Sequence, residues 1–115
     1  MTTRETYAGG VLRERWDDDA RTVTTWSATG TLTGTRSYTP AEAAQVDERV
    51  MVRTIIANEA DLIARAKTAI TANAAFLAVT TPTTAQAVAQ VKALTRQVNA
   101  LIRLVGRDLL STDGT

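Results

Sequence analysis

The chain has 115 residues, a formal net charge of +1, no cysteine and no histidine. A chain of this length normally forms one domain, and its balanced charge gives no reason to expect a strongly anionic ligand. Without cysteine there is no disulfide framework, and without histidine the commonest general base and metal ligand are missing. No apolar run approaches the roughly 20 residues of a membrane span, and the amino terminus lacks a hydrophobic signal core. We therefore expect no cofactor, no metal and no membrane association.

The first 39 residues predict a small β-meander. Threonine, valine and tryptophan, which favour strands, are frequent from residue 11 onward, and aspartates and glycines between them favour turns. The predicted strands lie near residues 11–16, 22–27 and 31–37. Trp16 and Trp26 are the expected anchors. Because three strands without a core of their own are only marginally stable, we expect the meander to pack on a helix or on neighbouring copies.

A long helix is predicted to begin directly after the meander. Thr39 is placed to cap it, Pro40 suits the first helical position, and Glu42 completes a Thr-x-x-Glu capping box. No proline or glycine follows until Pro82, which permits a helix over residues 40–79. Its apolar residues repeat every seven positions, which is typical of coiled coils and helical bundles. The two main rows are Ile56, Ile63, Ile70, Leu77 and Ile55, Leu62, Ala69, Phe76.

A break at Pro82 is predicted to separate this helix from a second one. The residue before a proline is pushed toward an extended conformation, and Thr83 and Gln86 form another capping box. The second helix has its own seven-residue rows of β-branched residues. The predicted segments are a meander (1–39), a long helix (40–79), a break (80–83), a second helix (84–110) and a polar tail (111–115). They are expected to form one structural unit, mainly α with a small β part.

The heptad pattern predicts that the helices associate between chains. A helix of about 38 residues can cover only part of its apolar stripe against the shorter second helix, so copies of the same chain would supply the remaining surface. β-Branched residues at both core positions favour three strands, and we expect a homotrimer. An intramolecular helical hairpin is the alternative. The predicted oligomer interface consists of Ile55, Ile56, Leu62, Ile63, Ile70, Leu77, Val88, Val91, Val98, Leu101, Ile102 and Val105.

Two phrases of the sequence resemble proteins of tailed bacteriophages. The first, "RTVTTWSATG…TRSYTPAEAA", joins a tryptophan-bearing strand to an Arg-x-Tyr-Thr-x-x-Glu entry into a helix; the second is "PTTAQAVAQVKALTRQVNALIRLV". The first phrase looks like small virion proteins of tailed bacteriophages, and the second is similar to the ends of tail-associated proteins of phages that infect high-GC Gram-positive hosts. The resemblance implies a structural part of a tail, tail fibre or baseplate that assembles with other virion proteins in the host cytoplasm. A head fibre or capsid decoration protein is also compatible with it.

The sequence offers no convincing catalytic or metal-binding group. Asp17, Asp18 and Asp19 are consecutive, whereas a calcium loop spaces its carboxylates and ends on a distal glutamate. We interpret the three aspartates as a solvated turn. The serines lack a nucleophile-elbow context, and no histidine could activate them. We therefore predict that the protein is not an enzyme.

A basic strip on the second helix raises a different possibility. Lys92, Arg96, Arg103 and Arg107 are spaced to lie broadly on one side of that helix. Such a strip can contact phosphates, but no aromatic residue lies between the charges, which weakens the case for binding single strands. Nucleic-acid binding is therefore the less favoured prediction. The second hypothesis is a soluble helical adaptor or a nucleic-acid-associated regulator.

Overall fold

The computed structural model describes residues 2–115, which are mainly helical with a small antiparallel sheet at the amino-terminal end. The elements are β1 (Thr3–Ala8), β2 (Val11–Asp17), β3 (Thr22–Trp26), β4 (Leu32–Ser37), α1 (Pro40–Leu77) and α2 (Thr84–Gly106). The chain divides into two compact units. We call Met1–Val50 the sheet unit and Met51–Thr115 the hairpin unit; α1 contributes to both.

The sheet has four strands in the order β1-β2-β3-β4, all antiparallel. The sequence predicted three strands, so the prediction of the strand count was wrong. The missed strand, β1, reads TRETYA and is exposed along its whole length. It lacks an apolar alternation because it gains its structure by pairing with β2. Gly9 and Gly10 connect the two strands, both at positive φ, which suits a tight two-residue hairpin turn.

The core of the sheet unit is formed by two valines. Val23 on β3 is 1% exposed and Val46 on α1 is 4% exposed. Trp16 and Trp26, the expected anchors, are only half-buried. Trp16 contacts Tyr38 with ring centroids 5.6 Å apart and lies beside Val23 across the strand pair. The meander therefore packs on the first turns of α1, one of the two arrangements that the sequence predicted.

Both predicted capping boxes are present. At the start of α1, the Thr39 N–H donates to Glu42 Oε2 over 2.8 Å and the Glu42 N–H donates to Thr39 Oγ1 over 3.3 Å. At the start of α2, Thr83 and Gln86 make the same reciprocal pair at 2.8 and 3.2 Å. These bonds satisfy backbone N–H groups that have no partner inside a helix. The helix break around Pro82 is therefore confirmed.

The second helix ends at Gly106, four residues earlier than predicted. Arg107 adopts the left-handed conformation (φ 56°), and its N–H donates to the carbonyl of Arg103. This conformation turns the chain out of the helix. Leu109, which lies within the predicted bounds of the second helix, follows its observed end. It is 1% exposed, and its carbonyl accepts a 2.7 Å hydrogen bond from Asn58 Nδ2.

The helical part of Met51–Thr115 is an antiparallel hairpin. Near its connection, Asn73 bonds Gln97 at 2.8 Å and Gln90 at 2.9 Å. Near its open end, Glu59 and Arg107 form an ion pair at 3.6 Å. Residues that are far apart in sequence thus meet in reverse order. The intramolecular hairpin, the alternative reading of the sequence, is therefore the arrangement of these helices within one chain.

Candidate self-association surface

Most of the predicted interface residues lie on the surface of the hairpin unit. Their exposed fractions range from 44% for Ile63 to 83% for Leu77. The ten exposed residues are Ile56, Ile63, Ile70, Leu77, Val88, Val91, Val98, Leu101, Ile102 and Val105. Leu94, which the sequence prediction left out of the interface, is 43% exposed and lies among them.

The other two predicted interface residues are covered to a larger extent within one chain. Leu62 is completely buried, and Ile55 is half-buried. Both belong to the heptad row that turns toward α2 inside the hairpin. The sequence prediction assigned both rows of α1 to contacts between copies, whereas the Leu62 row is covered within one chain.

The exposed row of α1 lies to one side of the row that faces α2. Successive residues of an α-helix are rotated by about 100°. Taking Leu62 as the direction toward α2, Ile63 lies about 100° further round, and Ile56 and Ile70 lie within about 20° of Ile63. The exposed aliphatic side chains therefore form a narrow stripe at a right angle to the contact between the helices.

The second helix repeats this arrangement. Gln97 is hydrogen-bonded to Asn73 of α1. The position of Gln97 therefore marks the side of α2 that faces α1. Val98 lies about 100° further round in the same sense, and Val91 and Val105 lie within about 20° of Val98. No residue of α2 is buried.

Both stripes lie on the same side of the hairpin. Because the helices are antiparallel, the same sense of rotation on each one leads to the same side of the pair. We call this surface the aliphatic face. It consists of Ile56, Ile63, Ile70 and Leu77 from α1 and Val88, Val91, Leu94, Val98, Leu101, Ile102 and Val105 from α2.

The opposite side of the hairpin has a different character. A groove of about 540 Å³ runs between the helices there. Its walls include Ala69, Ala72, Ala93, Ala100, Arg65 and Arg96. Leu101 also lines the groove; it lies close to the contact between the helices and therefore borders both the groove and the aliphatic face. The carboxyl-terminal segment lies along this side, where Arg65 Nη1 donates to Thr115 Oγ1 over 3.3 Å and Asn99 Nδ2 donates to the Gly114 carbonyl over 3.0 Å.

The basic strip of α2 is partly occupied by partners from the same chain. Arg103 pairs with Asp108 at 3.0 Å and donates to the Asp113 carbonyl at 3.0 Å. Arg107 pairs with Glu59. These contacts hold the carboxyl-terminal segment against the hairpin, which gives the strip a structural role within the chain.

Of the three consecutive aspartates, Asp17 is the last residue of β2, and Asp18 and Asp19 lie in the turn that leads to β3. Asp17 Oδ1 accepts hydrogen bonds from the N–H groups of Asp19 and Ala20 at 3.0 and 2.8 Å. Asp18 is 8% exposed. Within residues 2–115, no cluster of three or more carboxylate, histidine or cysteine groups could hold a metal ion.

Asp18 is surrounded by hydrogen-bond donors. The Tyr38 hydroxyl donates to its Oδ1 at 2.8 Å, and Arg4 and Arg49 each approach its carboxylate at 3.3 Å. Burial alone would raise the pKa of Asp18, but the hydrogen bond from Tyr38 and the nearby guanidinium groups outweigh it and lower the pKa. Asp18 therefore links β1, the end of β4 and α1 as an ionised carboxylate.

Across residues 2–115, neither helix has the length and apolar character that crossing a membrane requires. Comparison of the chain with protein families, with curated proteins and with solved structures finds no match.

Proposed function

We propose that the protein is a non-enzymatic structural component of a tailed-bacteriophage virion, which assembles with copies of itself through the aliphatic face. Its place in the particle would be the tail, the tail fibre or the baseplate. Other virion proteins would be its further partners, and assembly would take place in the host cytoplasm.

The observation that carries this proposal is the amount of aliphatic surface left uncovered in one chain. Large contiguous apolar patches on small proteins mark interaction sites. Each large aliphatic side chain gains roughly 1.5–3 kcal/mol on full burial. Covering the partly exposed side chains of the aliphatic face would contribute on the order of 10 kcal/mol, a gain comparable to the 4–15 kcal/mol that association costs.

The virion assignment is supported by the two phrases that resemble virion proteins of tailed bacteriophages. The phrase at residues 21–44 contains the strand and capping box that join the sheet unit to α1, and the phrase at residues 82–105 coincides with α2. The second phrase therefore supplies seven of the residues of the aliphatic face. In this proposal, the segment that resembles phage proteins is also the segment that binds another copy.

Mass spectrometry of density-purified particles of the encoding phage tests the virion assignment. The proposal expects the chain in the particles at a fixed stoichiometry to a known tail protein. Its absence from particles, combined with its presence in the infected-cell lysate, would contradict the proposal. Cryo-electron microscopy of the same particles would separate a tail location from a head fibre or capsid decoration.

The second candidate function is a soluble adaptor, and the observation that favours it is the basic strip on α2. Retention on a DNA column at several salt concentrations separates the two functions, because phosphate contacts give a steep dependence on salt. A structural protein of net charge +1 should elute early at all of them. Strong retention that falls steeply with added salt would favour the adaptor.

A further inference from the structure

The aliphatic face belongs to a two-helix layer, and both helices contribute to it: four of its residues lie on α1 and seven on α2. Ile56, Ile63 and Ile70 on α1 occupy the same angular positions, relative to the neighbouring helix, as Val91, Val98 and Val105 on α2. The face is therefore a broad surface that spans the width of the hairpin. A partner that fits it must itself be broad and flat.

We propose that a second copy of the chain covers this surface with its own aliphatic face, so that two hairpins stack into a four-helix bundle. This inference rests on the proposed self-assembly and specifies its geometry. The contact would be isologous, since the same residues lie on both sides of a two-fold axis. Such stacking of amphipathic helical layers is a common way to build a helical core.

A pair of hairpins covers the aliphatic face more completely than a trimer of hairpins would. Helices pack at axis separations of 8–10 Å, so two stacked hairpins bring all four aliphatic stripes into one core. Three flat hairpins around a three-fold axis would leave a triangular space at their centre, which side chains of valine and isoleucine size could not fill. The trimer expected from the sequence rests on rules for parallel coiled coils, whereas the helices of this hairpin are antiparallel.

The size of the surface agrees with a stable pair. A specific interface buries about 800 Å² on each partner. Eleven aliphatic side chains, each more than two-fifths exposed, offer apolar area of that order. The face extends from Ile56 to Leu77 on α1, about 30 Å at 1.5 Å per residue. A short peptide would cover only part of it.

The charges of the hairpin are arranged so that two copies can approach. Lys92, Arg96 and Arg103 lie more than 100° from Val98 around α2, on the side away from the aliphatic face. In a stacked pair, these like charges would point outward on both copies. The carboxyl-terminal segment is also hydrogen-bonded to that outer side. There, Arg103 donates to the Asp113 carbonyl and Asn99 donates to the Gly114 carbonyl. It therefore leaves the aliphatic face open to a partner.

Light scattering coupled to size exclusion tests this inference on the full chain. We expect wild-type protein at micromolar concentration to have twice the mass of the 12.3 kDa chain. Ile70→Asp or Ile102→Asp should convert it to a folded monomer, because each places desolvated charges in the core of the pair. The matched control is Thr71→Asp, which adds the same charge at an exposed position about 100° away around α1. This variant should remain a pair.

Each other outcome has a distinct meaning. A wild-type trimer would overturn the two-layer stack and leave self-assembly standing. A wild-type monomer at all accessible concentrations would overturn both the stack and the self-assembly. If that monomer floated with phosphatidylcholine vesicles, a lipid surface would replace the second copy as the partner. A pair that survives both face variants but dissociates with Thr71→Asp would place the contact elsewhere. The wild-type mass distinguishes a pair, a trimer and a monomer even if a variant fails to fold.

Discussion

In the sheet unit the large side chains are mostly covered or paired, whereas in the hairpin unit they are mostly exposed. Of the 18 large hydrophobic side chains that are exposed among residues 2–115, three lie in Met1–Val50 and the remaining 15 lie in Met51–Thr115. The sheet unit therefore leaves little large apolar surface for a second copy to cover. The hairpin unit has the surface of half a core, and we infer that its stability depends on association.

The polar groups show the same contrast. In the sheet unit they form a connected set: the guanidinium groups of Arg4 and Arg36 lie 5.2 and 5.6 Å from the Trp16 ring centroid, and Asp18 joins three elements. In the hairpin unit, bridges such as Asn73 to Gln97 fix the order of the helices. Polar contacts thus position the hairpin, and apolar contacts between copies would stabilise it.

The largest expected effect comes from removing the one fully buried side chain of the hairpin helices. Leu62→Ala should lower the free energy of unfolding by about 2–5 kcal/mol, because it leaves a cavity that its neighbours fill only partly. Urea denaturation measures this loss, and it should be the same at low and high protein concentration. The comparison variant, Ile70→Ala, removes a side chain that is 71% exposed. Ile70→Ala should lower the free energy of unfolding only at protein concentrations at which the chains associate. Equal losses for both variants in dilute protein would contradict the account.

A smaller effect is expected from the buried carboxylate of the sheet unit. Asp18→Ala removes the acceptor for Tyr38, Arg4 and Arg49, and hydrogen bonds that involve a charged group are worth about 1.5–3 kcal/mol. We expect a loss of about 2 kcal/mol in unfolding free energy, with no change in the oligomeric mass. Dissociation of the assembly by this variant would show that the two units are not as independent as their surfaces suggest.

The helix caps should each contribute about 1 kcal/mol. Thr39→Ala and Thr83→Ala remove equivalent hydrogen bonds from the starts of α1 and α2. Thermal unfolding monitored by circular dichroism measures both losses. Thr39→Ser and Thr83→Ser keep the hydroxyl and serve as controls. A loss in the serine variants as large as in the alanine variants would assign the effect to the lost methyl group instead of the cap.

The smallest expected effect is a pH dependence in the sheet unit. Hydrogen bonds from Arg36, and then from the Thr39 backbone, lower the pKa of Glu42 to about 2, below its ordinary value of 4.5. The unfolded chain binds this proton more readily, so the stabilisation is complete above about pH 4.5 and is lost as the pH falls toward 2. Thermal midpoints between pH 2 and 5 should fall less steeply for Glu42→Gln than for wild type. If the thermal midpoints of wild type and Glu42→Gln fell equally steeply with pH, Glu42 would not be the source of the pH dependence.

The sequence predicted the elements with strong local signals and missed those that depend on distant contacts. The capping boxes at Thr39 and Thr83 were found because they need only four consecutive residues. The strand β1 was missed because its polar residues become a strand only through pairing with β2. The early end of α2 was missed because Arg107, not glycine, takes the left-handed conformation.

The aliphatic face was also predicted only in part, because the sequence shows local periodicity but not the contacts between distant residues. Periodicity identified the apolar rows, but both rows of α1 look alike in sequence. Only the fold distinguishes the Leu62 row, which is used within the chain, from the Ile63 row, which remains exposed. Leu109 illustrates this limit as well, because its burial follows from a reversal of the chain that no pattern in the helix indicates.

Hydrogen–deuterium exchange of the wild-type protein, measured at two concentrations on either side of dissociation, tests the contrast between the units most directly. We predict that the amides of residues 56–77 and 84–106 exchange faster in dilute protein. Those of strands β2 and β3 should exchange at the same rate at both concentrations. Concentration-independent exchange throughout both units would contradict the inference that the hairpin is completed by another copy.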